Sequence, residues 1–452
     1  MIRIAGGSGY WGDFPQAPAL QVRSGPIEYL VLDYLAEVTL SILSRQKAMD
    51  PSTGYATDFV EDIGELLPEI VAKGIKVIAN AGGANPNACA SALMEKAKSV
   101  GVDSLVVGIV KGGDLTERLT PNRADSLTIE ALEEGWPAYA SVAPRIVAAY
   151  AYMKMNPIVE ALAKGAQVVI TGRVSDPGLF LAPIVHEFGI GEEDWDSLAF
   201  GTVIGHILEC GGQASGGNFL GDWRSVPELE RIGFPIAEVF SKDRAVITKH
   251  ESLGGLVSQA TIKEQLVYEI GDPKRYLTPD CAADFTTLRL RDDGPNRVEV
   301  TGARGGPAPE KLKAACYYED GWRVSGQVTY PWPEAGEKAR AAGELVRKRS
   351  EAKMGPLYNS WRIEVLGVDA CHGSLGGERV DPPEATLRVT ATSESREACD
   401  WVGREIVALV LSGPPGATGF AAGRPRASRV YAYWPGLVAR AEVRPEVEIL
   451  TL

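Results

Sequence analysis

Through its first 180 residues the chain alternates short apolar runs, rich in β-branched positions, with longer segments of helical periodicity. This is the pattern of a parallel sheet with helices on both faces. The apolar runs predict strands at Ile2 to Ala5, Ile27 to Leu32, Ile75 to Ala79, Ser104 to Val110 and Gln167 to Thr171. Each run ends in a loop of distinctive chemistry: GGSGYWGD (6–13), DYLAE (33–37), NAGGANP (80–86), KGGD (111–114) and TGRVSDP (171–177). In open parallel sheets ligands bind outside the carboxyl ends of the strands, where loops and helix N-termini converge. That edge is therefore the predicted binding edge.

A long apolar segment, SLAFGTVIGHILEC (197–210), predicts a buried helix closed by Gly211-Gly212 and followed by QASGGNF (213–219). A further strand is expected at Ala245 to Thr248. After Asp280 the texture changes to short alternating strands (Arg297 to Thr301, Gly321 to Tyr330, Trp361 to Val365, Ala385 to Thr392, Arg429 to Tyr433) around two helices, Glu334 to Lys353 and Ser395 to Leu411. The expected architecture is an α/β ligand-binding domain over 1–285, with a doubly wound, mostly parallel sheet and glycine-rich loops at its strand ends. An α+β domain with an antiparallel sheet is expected over 286–452. The chain has 452 residues, too many for one ordinary core.

Composition narrows the function classes. No apolar run is long enough to cross a bilayer, and Met1-Ile2-Arg3-Ile4 enters a strand without the regions of a signal peptide, so a cytoplasmic location without membrane contact is expected. The net charge of −13 would repel a phosphate backbone and argues against nucleic acid. Six cysteines form no C-x-x-C pair, which fits isolated buried thiols and no structural zinc. G-x-S-x-G, the P-loop and H-E-x-x-H are absent. Glycine is in excess, 50 residues or about 11% against a usual 7% or so.

Gly7-Ser8-Gly9-Tyr10-Trp11-Gly12 fits G-x-G-x-x-G, and Asp33 follows Gly12 at 21 residues, near the spacing of a ribose-binding acid. Against a dinucleotide, the crossover helix cannot open inside the motif, because Asp13-Phe14-Pro15 and then Pro18 intervene. Asn85-Pro86 and Asp176-Pro177 each read as an N-cap followed by proline, sharp helix starts that offer free N–H groups to an anion. His206-x-x-Glu209-Cys210 places three reactive side chains on one helix face. Since His206 is the one chargeable residue from Ser197 to Leu208, Glu209 should emerge from an apolar surface with the raised pKa of a general acid or base.

The candidate catalytic residues are thus Glu209, Asp33 and His206. Substrate contacts are expected from Gly7, Gly9, Gly12, Asp13, Asn80, Gly82, Gly83, Asn85, Arg173, Asp176, Gln213, Asn218, Lys249, Gly254 and Gly255. Glycine-loop amides with Asn80 and Asn218 would serve as oxyanion donors, and Arg173 and Lys249 as anion ligands. No metal ligand set is expected. Each feature also has a structural explanation: well-made helix starts, a satisfied core His and Glu, and basic residues in exposed salt bridges.

The motifs AGGSGYWGD, LVLDYLAE, NAGGANP, TGRVSDPGLFLAPIVHEFG, LECGGQASGGNF and IKEQLVYEIGDPKRYLTPD together resemble the acyclic terpene utilisation A (AtuA) family over roughly residues 1 to 450. The resemblance implies a catabolic enzyme from bacterial clusters for citronellol and geraniol breakdown. With the loops, it points to acid–base lyase, hydratase or isomerase chemistry on a small carboxylate or branched acyl-CoA thioester, with CoA as part of the substrate and no other cofactor. A homo-oligomer is expected. Longer relatives continue into a ferredoxin-like domain, so a separate small chain of that kind is an implied partner. Where many relatives have a glycine-threonine pair this chain has Ser252-Leu253. Two alternatives stay open: a non-catalytic binding or assembly subunit of such a pathway, and a nicotinamide-dependent oxidoreductase.

Overall fold

The computed structural model describes residues 1–119, 127–376, 381–420 and 423–452. Its centre is five parallel strands, β1 (Ile2–Ser8), β2 (Tyr29–Leu32), β3 (Lys76–Ala79), β4 (Val106–Lys111) and β5 (Val168–Thr171), in the order β1-β2-β3-β5-β4. All five lie where the apolar runs place them. Every residue of β2 and β5 is buried, as strands covered on both faces require. Leu30, Leu32, Val77, Ala79, Val107 and Ile109 share one core with Phe59 and Leu67 of the helix Thr57–Lys73 and Leu93 of the helix Pro86–Ser99.

The sheet does not stop at these strands. Ile236–Ser241 pairs antiparallel with β1, Arg244–Thr248 and Val298–Thr301 follow antiparallel, Arg289–Asp292 forms that edge, and Glu446–Thr451 pairs antiparallel with β4. The result is a ten-stranded mixed sheet in an α/β protein. The antiparallel flank has a simple cause. Only Lys242 and Asp243 separate Ser241 from Arg244, a connection that can close a hairpin but is far too short for a parallel crossover.

By compactness the chain divides into one unit of Met1–Tyr317 with Tyr433–Leu452 and a second of Tyr318–Ala432. The change of texture near residue 285 falls inside the first unit, because Arg289–Asp292 and Val298–Thr301 still belong to the large sheet. In the second unit, residues 322–331 pair antiparallel with Glu384–Ser393, which also pairs with Tyr358–Leu366. Helices Ala335–Met354 and Arg396–Ser412 supply Ala339, Val346, Val402 and Ile406 to its core with Val328, Leu387 and Val389.

Among the described residues no helix is long and apolar enough to cross a membrane. Four of the six thiols are buried, but Cys371 is exposed and Cys210 is partly exposed, so the expectation of uniformly buried cysteines does not hold.

Candidate functional site

The motif that opens the chain does not build a dinucleotide loop. β1 runs through Ser8, whose hydroxyl donates to the carbonyls of Asp33 and Tyr10. The next turn folds onto its own carboxylate: Asp13 Oδ2 accepts from Gly9 N at 2.8 Å and Oδ1 accepts from Phe14 N at 2.7 Å. The Asp13 carboxylate thus occupies an amide that a phosphate would need, and the following helix begins only at Ala17. Gly7 is a packing residue inside β1, where a Cβ would meet Leu30 at 2.9 Å, and Gly12 serves a turn with φ +96°. Gly9 alone of the three brings this loop close to the ligand edge, since a Cβ there would lie 2.8 Å from Gly211 N.

The long apolar helix forms as Trp195–Leu208, and every residue from Ser197 to Leu208 is buried. Gly205 lets it approach the helix Asp176–Phe188 so closely that a Cβ would lie 2.5 Å from the Pro177 carbonyl oxygen. This contact brings the end of one helix, Glu209, beside the start of the other, Asp176. Both line a cavity of about 660 Å³ at the strand ends. Asp13, Asp33, Glu37 and Glu269 line it as well, together with Gly9, Gln213 and Asn218. Its apolar wall includes Phe14, Leu35, Ile232 and Phe234. Among the described residues lining it there is no lysine, arginine or histidine, so the expected anion-accepting cleft is instead a carboxylate-rich one.

The carboxylates are not equivalent. Glu209 Oε1 lies 2.8 Å from His206 Nδ1, whereas Glu209 Oε2 and His206 Nε2 are buried without a hydrogen-bond partner. Burial raises the Glu209 pKa, His206 opposes it, and the negative charges of Asp176 and Glu269 add to it. For His206 burial alone would lower the pKa, but the charge and hydrogen bond of Glu209 outweigh it and leave it raised. The imidazole packs against Tyr276 and Phe285, with ring centroids 5.4 Å away in each case. His206 therefore stands behind Glu209 and orients it, rather than facing the cavity.

Asp33 follows β2 and is held by three groups. Its Oδ1 accepts from Leu35 N at 2.8 Å and from Asn80 Nδ2 at 2.7 Å, and its backbone N–H donates to the Ser8 carbonyl. Burial raises its pKa against the pull of Arg173, Asn80 and the Leu35 amide. Asp176 is pushed well above the carboxylate range, by burial first and then by the neighbouring Asp33, with Arg173 opposing. Burial thus raises both carboxyls of this pair. Glu37 differs: burial would raise it, but its own backbone N–H, Lys313 and Arg173 outweigh that and hold it below its ordinary value.

Several expected ligands are already committed. Arg173 has 2% of its surface exposed; its guanidinium binds the Leu35 carbonyl and Asp176, and its Cζ lies 4.2 Å from the Tyr152 ring centroid. Burial opposes its charge, and Asp176, Tyr152, Asp33 and Glu37 hold it protonated. Asp176 is the first helical residue, not an N-cap: Ser175 precedes it without a capping bond, and the carboxylate turns to Arg173. Asn80 cannot serve as an oxyanion donor at the cavity, because it is fully buried between Asp33 and Tyr34 N. The Lys249 ammonium binds the Leu253 and His250 carbonyls, and a Cβ on Gly254 or Gly255 would strike backbone oxygens of Glu228 or Ser215. Lys249, Gly254 and Gly255 thus brace a loop outside the cavity lining.

The NAGGANP turn lies elsewhere on the edge. Asn85 caps its helix as expected, accepting from Ala88 N, and its amide donates to the Pro51 and Thr53 carbonyls. Gly82 permits a close approach to the Thr171 carbonyl, while Gly83 and Asn85 line a smaller cavity with Arg173. Gln213 and Asn218 do reach the main cavity and are linked to each other by a 3.1 Å hydrogen bond. The residue reading did not single out Glu37, Glu269 or Tyr268. Glu37 stood in the DYLAE loop, whereas nothing local marks Glu269.

Among the described residues no group of three or more His, Cys, Asp and Glu side chains is arranged to hold a metal ion. Fold and site together define a mixed α/β protein with a carboxylate-lined cleft at the carboxyl ends of its parallel strands. The model of the family described as "Acyclic terpene utilisation family protein AtuA" matches residues 2–449, and the chain belongs to that family. No curated protein and no solved structure matches the chain.

Proposed function

We propose that this protein is an acid–base enzyme of the lyase, hydratase or isomerase type that acts on the acyl part of a branched thioester. The observation that carries the reading is the lining of the main cavity, which combines carboxylates, with no cationic side chain among the described lining residues, and the apolar Phe14, Leu35, Ile232 and Phe234. A free small carboxylate would be repelled there, whereas a thioester presents an uncharged carbonyl and an apolar branch. Glu209, which lines the cavity with its pKa raised, is suited to take a proton from the carbon beside the carbonyl. The electron pair would move to the carbonyl oxygen, and the Asp176 carboxyl, which burial pushes well above the carboxylate range, would be the acid that donates to it. Asp33, Asn80 and Arg173 would then position that donor.

Hydrogen exchange at the carbon beside the carbonyl tests this without knowledge of the full reaction. The protein is incubated in D₂O with branched acyl thioesters and, in parallel, with the free acids, and deuterium is read by mass spectrometry. The expected result is incorporation into at least one thioester and into none of the free acids. Exchange confined to the acids, or absent throughout the panel, would overturn the reading.

A further inference from the structure

Gln265 lies outside the lining of the main cavity and is 1% exposed, yet both ends of its amide are engaged. Nε2 donates to the His206 carbonyl at 2.8 Å, and Oε1 accepts from Gln213 Nε2 at 3.0 Å. Gln213 Oε1 in turn accepts from Asn218 Nδ2 at 3.1 Å. Three amides thus form one chain, each nitrogen donating to the next oxygen, from the cavity-lining Asn218 and Gln213 to the last turn of the helix Trp195–Leu208. We propose that Gln265 is a positioning residue that holds the Glu209 end of this helix in register with the cavity's amides. The catalytic meaning of the link rests on the role proposed for Glu209; the link itself does not.

That helix end needs a partner. The last four carbonyls of a helix have no intrahelical N–H to accept from, and the His206 carbonyl is among them. Glu209 is the C-cap residue, and the His206 ring and Glu209 carboxylate meet at 2.8 Å across the same turn. What fixes the His206 carbonyl therefore fixes the direction in which both side chains leave the helix. The amide fixes it in one sense only, because a flipped Gln265 would set nitrogen against the His206 backbone's neighbour in the chain, Gln213 Nε2, and oxygen against the His206 oxygen. An apolar side chain would fill the same space without that constraint. The helix Gln259–Val267, which carries Gln265, also ties down the neighbouring loop: Thr261 Oγ1 donates to the Ala214 carbonyl at 2.9 Å, and Glu264 Oε2 accepts from Leu220 N at 3.0 Å. Asn218 lies between these ties at φ 56°, a left-handed conformation that a side chain keeps only where its surroundings over-determine it.

His206 reports on the link without a substrate. Burial lowers its pKa, and Glu209, the Gln265 backbone and the charge of Glu269 together raise it above its ordinary value. The Tyr276 and Phe285 rings packed on it carry no charge, burial holding the Tyr276 hydroxyl well above its ordinary range. If the helix end loosens, contact with Glu209 weakens and the His206 pKa falls, whether the ring stays buried or meets water. NMR titration of the whole protein with isotope-labelled histidine measures this, the His206 signal being assigned by its loss in His206→Gln. Gln265→Met is expected to lower the midpoint by at least about 0.5 pH unit. Gln213→Met, at a partly exposed position, breaks the chain one link earlier and should lower it too, so the test stands even if Gln265→Met does not fold. Ser258→Ala removes the N-cap of the same helix and should lower the melting temperature without moving the midpoint. An unchanged midpoint in Gln265→Met or in Gln213→Met, or an equal fall in Ser258→Ala, overturns the proposal. With a branched thioester that the wild type labels, Gln265→Met should cut kcat for exchange at least about tenfold and keep KM within about threefold. A raised KM with unchanged kcat would contradict a positioning role. A wild type that labels no thioester defeats the acid–base reading alone, because the titration involves no turnover.

Discussion

Asn80 donates from Nδ2 to Asp33 Oδ1 across 2.7 Å while its own Oδ1 accepts from Tyr34 N at 2.7 Å, so one amide after β3 clamps two successive residues after β2. Removing it should act on the site through Asp33. Asn80→Ala leaves a buried N–H unpaired, at a cost of about 1–3 kcal/mol. It also removes a donor that favours the Asp33 carboxylate, so the Asp33 pKa should rise further. The acidic limb of the pH–rate profile is then expected to move to higher pH, with kcat falling more than KM changes. A profile that keeps its wild-type midpoint would show that Asn80 matters for folding alone.

Asp280 provides a pH test of stability away from the catalytic groups. It is buried, accepts from Met155 N at 3.0 Å, and burial pushes its pKa from 3.8 up to about 6. A carboxyl raised in the folded state stabilises the fold below about pH 3.8 and loses that contribution as pH climbs to about 6. Asp280→Asn keeps the acceptor and cannot ionise. Relative to wild type it should gain up to about 3 kcal/mol, at roughly 1.4 kcal/mol per unit, between pH 4 and pH 7. Chemical denaturation at both pH values measures this, and a difference that does not vary with pH would contradict it.

The Asp13 turn leads to a ligand prediction. Because its carboxylate already takes Gly9 N and Phe14 N, a pyrophosphate would have to displace a negative charge that is built into the loop. NAD and NADP are therefore expected to leave the melting temperature unchanged. A ligand present at about 100 times its Kd would add roughly 2.7 kcal/mol, so a rise of several degrees would show that the turn opens to admit it.

The parallel strands were legible because each is a short apolar run ended by glycine or polar residues, and β1 to β5 lie where those runs are. The antiparallel flank was legible in principle, from the two residues between Ser241 and Arg244, but the apolar run Ala245 to Thr248 looks the same in either direction. Glu209 could be found because its helix is otherwise nearly uncharged. The sign of the cavity could not. Arg173 and Lys249 read as anion ligands, and only the folded chain shows that Asp176 and the Leu253 carbonyl take them. Glu269 enters the lining after the helix Gln259–Val267, at φ 53°, and that helix is tied to the rest of the site by distant contacts such as Gln213–Gln265, 52 residues apart.

The central claim is that Glu209 moves a proton in the carboxylate cavity. Glu209→Gln keeps the shape and a partner for His206 but cannot transfer a proton, and the rate of deuterium entry beside the carbonyl of a reactive thioester reports on that step directly. The account predicts a rate at least about 100-fold below wild type with the melting temperature within a few degrees. A rate within about threefold of wild type, whatever the stability, would contradict it.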